Sequence, residues 1–406
     1  MEFMLRANIR RIFMIAGIVS LCISYLGVWI RFINDPVERT GSDFIAFYSA
    51  GRIAENEGAA SVYNPKLQQE IQQEQVGFPL VQGQVLLYNH LPFLIPILQM
   101  VVSTNYVNSF YRWIFLLMTL YVAGTAILSR VLREAGVNRN SILLTGIGSL
   151  LFLPLFFSLM NGQDTAFTFL GAAIWTYGLF SGRELLAGLG LSLTTIRPQI
   201  ALFLAIPMLF RHARVFWGFL LGSGLLALLS VLILGPGGTR DFIDILLVSA
   251  GGEWFGMKEN AMYNLIGLLT RTAPQLGAGT IRTIGWIVYG ITMIGLCIVW
   301  VRSKHLPGEK ISLTVVLSLF VAPHLHFHDL ALLLIPIHEL IRISRGTGNL
   351  KTSIAVAIPI AISLLLLLSN VSPALQYTVP YLVMLALVLY PYYLGLKTPV
   401  TTPHQS

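Results

Sequence analysis

The chain is 406 residues long, with 55% hydrophobic residues, only 11% charged residues and a mean hydropathy of +0.73. That composition excludes an ordinary soluble globular domain and fits a polytopic membrane protein. The formal charge of +8 does not point to nucleic acid, because Lys and Arg gather at the ends of apolar runs, the positive-inside pattern of membrane proteins.

A membrane-spanning helix needs roughly 20 apolar residues. Runs of this kind are predicted at 12–30, 110–128, 142–160, 215–234, 284–301, 354–368 and 381–394, with weaker candidates between them. The first is too long, and too poorly followed by small residues, to be a removed signal peptide, so it reads as a retained span. Arg6, Arg10 and Arg11 put the N-terminus in the cytoplasm, which makes residues 34–88 a first extracytoplasmic loop. Asp35, Glu38, Asp43, Glu55, Glu57, Glu70 and Glu74 outnumber Arg39, Arg52 and Lys66 in that loop. Its 44–55 and 65–75 parts read as short amphipathic helices lying at the membrane surface. Residues 75–111 contain no Lys, Arg, Asp or Glu, so charge leaves 91–102 open between a span and a partial insertion.

Farther along, His212 and Arg214, Arg302 and Lys304, Arg342 and Lys351, and Lys397 fall on cytoplasmic loops if spans alternate. The loops at 235–276, 324–329 and 370–380 then face outward. Residues 185–210 could span, yet TTIRPQ puts Arg197 and Pro198 near the centre. Proline removes a backbone donor and clashes with the preceding turn, so two half-helices are expected to meet at Arg197, their outer ends cytoplasmic. Such a break at membrane depth is tolerated only in a cavity or against protein. Cys22 and Cys297 sit in apolar runs, which excludes a disulfide framework. Without an internal repeat, the chain reads as one all-α membrane domain over 1–406, a polytopic helical bundle.

Four polar clusters interrupt the apolar sequence: Asp43 with Tyr48 and Arg52; Asn161, Gln163 and Asp164; Arg197; and His324, His326, His328 and Asp329. An arginine at bilayer depth costs at least about 2.5–3.5 kcal/mol. It must therefore pair or line a wet site. Pro198 favours the first position of a new helix, whose free N–H groups attract anions, so Arg197 suits a phosphate; bonding the carbonyls freed at the kink is the other reading. Asp43 precedes Phe44, Phe47 and Tyr48, rings that desolvate a carboxylate and improve it as a base, while Ser42-Asp43 ahead of Phe44 equally fits a helix N-cap. In APHLHFHDL, imidazoles at alternate positions admit a metal, hydrogen bonds to phosphate or hydroxyl, or interfacial packing. If this stretch is extended, His324, His326 and His328 share a face; if helical, only His324 and His328 do. His90 and His338 read as structural. Nucleophilic triads, Gly-rich phosphate loops and zinc-protease helices are absent from the sequence.

Taken together, an N-terminal span, SDFIAFYSAGR followed by VYNP, then NGQ, then a half-helix pair broken at RPQ make a pattern that resembles the family-87 glycosyltransferases, membrane enzymes of the GT-C fold. The likeness covers roughly residues 12–338. It implies transfer of a hexose, mannose in the mannosyltransferases of that family, from a polyprenyl-phosphate donor to a lipid or glycan acceptor hydroxyl. Transfer would proceed with inversion, on the extracytoplasmic face of a bacterial plasma membrane. It also implies Asp43 as general base, Arg197 in place of a lysine before the proline of the broken helix, and His324 or His326 at the donor phosphate. Tyr48, Arg52 and Gln163 are counted among the substrate-binding candidates. No second acidic residue accompanies Asp43 as in metal-dependent relatives, so neither metal nor cofactor is implied. The rivals are a transporter or lipid-linked-sugar flippase, which would normally show two similar halves, and a non-catalytic assembly partner.

Overall fold

The computed structural model describes residues 2–35, Glu38, Thr40, 42–251, 258–302, 307–347 and 356–397. Among the described residues every regular element is helical. Lipid demands this, because backbone groups that meet no water must pair within their own segment. Five helices are long and apolar enough to cross a membrane: Met14–Asn34, Tyr106–Glu134, Ala213–Val248, Ala278–Arg302 and Pro373–Tyr390. Large aliphatic side chains along them, such as Leu225, Leu228 and Leu232, point outward, as a lipid-facing surface requires. The chain is a multi-pass membrane protein.

The structure alters several expectations in detail. The run at 142–160 is two helices, Arg139–Leu150 and Leu153–Asn161, bent by 42°, the shape of either a broken span or a re-entrant loop. Phe152 is extended and Pro154 sits in the first turn of the second helix, where its missing N–H removes no intrahelical bond. Residues Pro92–Val101 form a short helix, about 15 Å long at 1.5 Å per residue, half of a roughly 30 Å hydrocarbon core. Length therefore favours a partial insertion over a span. The run at 354–368 begins outside the described residues, and its described helix, Ile358–Ser369, has 12 residues. Arg39, Lys304 and Lys351 also lie outside them.

A further change concerns what was read as loop. Helix Ala213–Gly251 breaks at Gly235 (φ 65°, ψ −178°), immediately before Pro236, and then resumes. That φ suits glycine alone. The second limb folds over the first loop: Gly238 sits so close to Ala60 that a Cβ would lie 2.9 Å from its Cα, and the Phe242 ring is 4.9 Å from that of Tyr63.

Helix Phe44–Asn56 forms as the sequence predicts, but it is embedded in protein. Phe44, Phe47, Tyr48 and Ala50 are at most 1% exposed, because apolar and small residues from Phe44 to Gly51 occupy all sides of its first two turns, and a helix apolar all round buries itself. Asn64 caps the next helix, Pro65–Val76, by accepting from the Lys66 and Leu67 amides.

Candidate active site

The predicted break is present. Helix Glu184–Leu191 tightens into a 3-10 turn, Ser192–Ile196, the chain bends at Arg197 (φ −118°, ψ 79°), and helix Pro198–Ala205 begins with proline at its first position. The Ile200 and Ala201 amides both donate to the Arg197 carbonyl at 2.9 Å, so this helix start offers an anion fewer free amides than the sequence implies. The guanidinium points the other way, into a buried polar cluster. It pairs with Asp164 Oδ1 at 3.0 Å and Asp329 Oδ1 at 3.2 Å, and donates to Gln163 Oε1 at 3.2 Å. Its side chain is 11% exposed, against 0% for Asp164 and 2% for Asp329. Asp329 also accepts from Thr165 Oγ1 at 3.2 Å and from the His326 amide at 3.1 Å. Asp164 Oδ2 lies 2.6 Å from His90 Nδ1. Two carboxylates and an amide oxygen share one cation, which is how a charge persists away from water.

Gln163 connects this cluster to Asp43. Its Nε2 donates to Asp43 Oδ2 at 2.6 Å, so one amide reaches from the guanidinium to the carboxylate. The NGQ triplet makes this possible. Helix Leu153–Asn161 ends at Gly162 in the left-handed region (φ 69°), and a Cβ there would sit 2.8 Å from Phe44 Cβ. Only glycine both turns the chain and lets it touch the residue after Asp43. The Trp113 indole donates to the Gly162 carbonyl at 2.7 Å and fixes the turn. Asp43 stands at the N-cap position but makes no side-chain capping bond. Its carboxylate is partly exposed and lines a cavity.

The histidines lie on the link between helix Pro307–Val321 and the 3-10 turn Phe327–Leu333. His324 and His326 belong to its non-helical part, with ring centroids 4.6 Å apart and Leu325 between them fully buried. This is the alternation of extended backbone, and His328 joins them on the cavity. Gln199 Nε2 donates to the His324 carbonyl at 3.1 Å, which ties the link to the broken helix. Burial, then neighbouring imidazole, lowers the basicity of His324 to a pKa of about 3 and of His326 to about 4. Both rings are neutral near pH 7. The buried His324 Nδ1 has no hydrogen-bond partner among the described residues.

These groups surround one cavity of about 630 Å³, within the usual range for small-molecule sites. Asp43, Gln163, Arg197, His324 and His326 all line it. Tyr48 and Arg52 do not. Tyr48 donates to the Thr104 carbonyl at 3.1 Å, and Arg52 pairs with Glu55. At 100° per residue they lie about 140° and 180° around the helix from Asp43, whereas Ala46, on its side, does reach the cavity. His90, expected to be structural, lines the cavity as well. Asp164 and Asp329 stand in the polar clusters of the sequence, but their pairing with a guanidinium 33 and 132 residues away carries no local signal. Lys258, on the cavity wall, carries none either. Among the described residues no three His, Cys, Asp or Glu side chains converge to hold a metal ion.

Comparison with curated proteins and with solved structures found no match. A family model, glycosyltransferase family 87, matches residues 94–323. That stretch is more than half of the chain and holds Gln163 and Arg197; it stops one residue before His324 and leaves Asp43 outside. The cavity, its carboxylate and its cation therefore sit in a chain that belongs to glycosyltransferase family 87.

Proposed function

We propose that this membrane glycosyltransferase moves a hexose, mannose in the closest reading, from a polyprenyl-phosphate donor to the hydroxyl of a lipid or glycan acceptor, with inversion and on the extracytoplasmic face. The observation that carries the reading is one cavity with a carboxylate held by Gln163 at one place and neutral histidines at another. Asp43 takes the proton of the acceptor hydroxyl as its oxygen attacks the anomeric carbon. The bond from that carbon to the phosphate oxygen breaks, and the polyprenyl phosphate leaves with the electron pair. A single displacement of this kind inverts the anomeric centre. General-base help of this type is worth about 100- to 10,000-fold.

The leaving phosphate falls to His324 and His326, whose neutral rings donate N–H bonds, with Lys258 nearby on the wall. Oriented donors at developing charge are the largest usual contribution to such catalysis. Arg197, read from the sequence as the phosphate ligand, has its guanidinium engaged by Asp164, Asp329 and Gln163. Its role here is to hold Gln163, and through it Asp43, in place. The proposed outward side rests on the basic N-terminus and the positive-inside rule. The test is incubation of purified protein with radiolabelled polyprenyl-phosphate sugars and a membrane lipid extract. A labelled lipid or glycan product, formed only with Asp43 intact, supports the proposal; no transfer from any polyprenyl-phosphate sugar overturns it.

A further inference from the structure

Beyond the polar groups, two kinds of apolar residue meet at the cavity. Leu86, Leu87, Leu91 and Leu246 are aliphatic and suit an isoprenoid. Phe157, Tyr263, Phe327 and Tyr377 are different: they come from four separate segments and form one run of rings, with centroids 5.3 Å apart for Phe157 and Phe327, 5.3 Å for Tyr263 and Phe327, and 5.1 Å for Tyr263 and Tyr377. The run is braced. The Arg271 guanidinium lies 3.9 Å over the Tyr377 ring, and donates to Tyr381 Oη at 2.6 Å and to the Met262 carbonyl at 2.8 Å. Asn264 Nδ2 donates to the Ala322 carbonyl at 2.6 Å, and the Tyr263 amide to the Leu325 carbonyl at 3.1 Å. Two primary amides, Asn161 and Gln376, share this wall.

We propose that this wall is a subsite for a pyranose ring. A pyranose has an apolar C–H face, which packs on the electron-rich face of aromatic rings, and hydroxyls at its rim, which pair with amides. An isoprenoid would offer Asn161 no hydrogen bond, at a cost, whereas the hydroxyls of a sugar would. The bracing matters because stacking needs rings already held in place. The ring has two possible sources, the sugar of the donor and a sugar of the acceptor. The inference rests on the glycosyltransferase reading but not on Asp43 being the base.

The experiment is saturation-transfer NMR on the full-length protein in detergent, with methyl α-mannoside and methyl α-glucoside as probes and irradiation of aromatic protons. Ring C–H protons of at least one probe receive saturation from the unaltered protein. The double variant Tyr263→Leu with Tyr377→Leu weakens binding by about tenfold, while Tyr377→Phe retains it and controls for folding. Excess mannose 1-phosphate that abolishes the signal assigns the wall to the donor sugar; a signal that survives assigns it to the acceptor and makes the acceptor a glycan. Asp43→Asn leaves the signal intact, so failure of the base assignment and failure of this subsite remain distinguishable. No transfer to either probe, or equal binding by the double leucine variant, overturns the proposal.

Discussion

Two buried arginines divide the molecule into instructive halves. Arg197 and Arg342 each pair with buried carboxylate, and each is mostly hidden from solvent. Arg342 bonds Glu339 three residues earlier on the same helix, at 2.7 Å, and its guanidinium rests 4.3 Å from the Phe180 ring. Neither Arg342 nor Glu339 lines the cavity. Arg197 instead gathers Asp164 and Asp329 from distant segments, passes a hydrogen bond through Gln163, and ends at a partly exposed carboxylate on the cavity wall. Burial of charge alone thus does not mark a site. What marks it is convergence of long-range partners on a space that can hold a ligand.

The comparison breaks if both arginines behave alike when removed. Arg197→Met leaves two buried carboxylates without their cation, so stability should fall by about 3–5 kcal/mol and sugar transfer should be lost. Thermal unfolding in detergent and radiolabel transfer measure the two effects. Arg197→Lys should keep part of the activity, since an ammonium is a point charge that cannot fork between both carboxylates and Gln163. Arg342→Met should also destabilise, yet transfer per folded molecule should stay within about twofold, as expected of a pair whose role ends with stability. A tenfold loss there would make the distinction between the two arginines untenable.

Smaller changes sharpen the same contrast. Gly162→Ala forces a left-handed residue, at about 1–2 kcal/mol, and pushes against Phe44 beside Asp43. Turnover should drop with little change in donor affinity, which steady-state kinetics would separate. The last effect is confined to acid pH. The His324 and His326 rings are held neutral down to about 3 and about 4, whereas unfolded histidine protonates near 6.5. As pH falls below about 6.5 the unfolded chain binds protons that the fold refuses, so stability is present above that value and lost progressively toward pH 4. The melting temperature of the double variant His324→Gln with His326→Gln should vary less over this window.

Much of this architecture is legible in the sequence, and the limits have physical causes. Hydropathy gives the membrane class. Proline chemistry gives the break at Arg197 and Pro198, and NGQ and the alternating histidines are visible as polar interruptions of apolar runs. Tyr48 and Arg52 do not line the cavity because their helix turns them away from Asp43, a periodicity that the sequence already contains. The burial of helix Phe44–Asn56 depends on neighbours that arrive later in the chain. The partners of Arg197, and the rings of Tyr263 and Tyr377, lie too far apart in sequence for local pattern to join them. His90 has no neighbouring motif at all, and only its 2.6 Å contact with Asp164 brings it to the site.

The central claim, that the Asp43 carboxylate is the base of a sugar transfer, is tested most directly by the turnover of Asp43→Asn. Asparagine keeps the size and can still accept at an N-cap, but it cannot take a proton. With a radiolabelled polyprenyl-phosphate sugar that the unaltered protein uses, turnover should fall by at least about 100-fold, while melting temperature and donor affinity stay close to those of the unaltered protein. Transfer at near the normal rate would contradict the account and move the search for the base to His324 and His326.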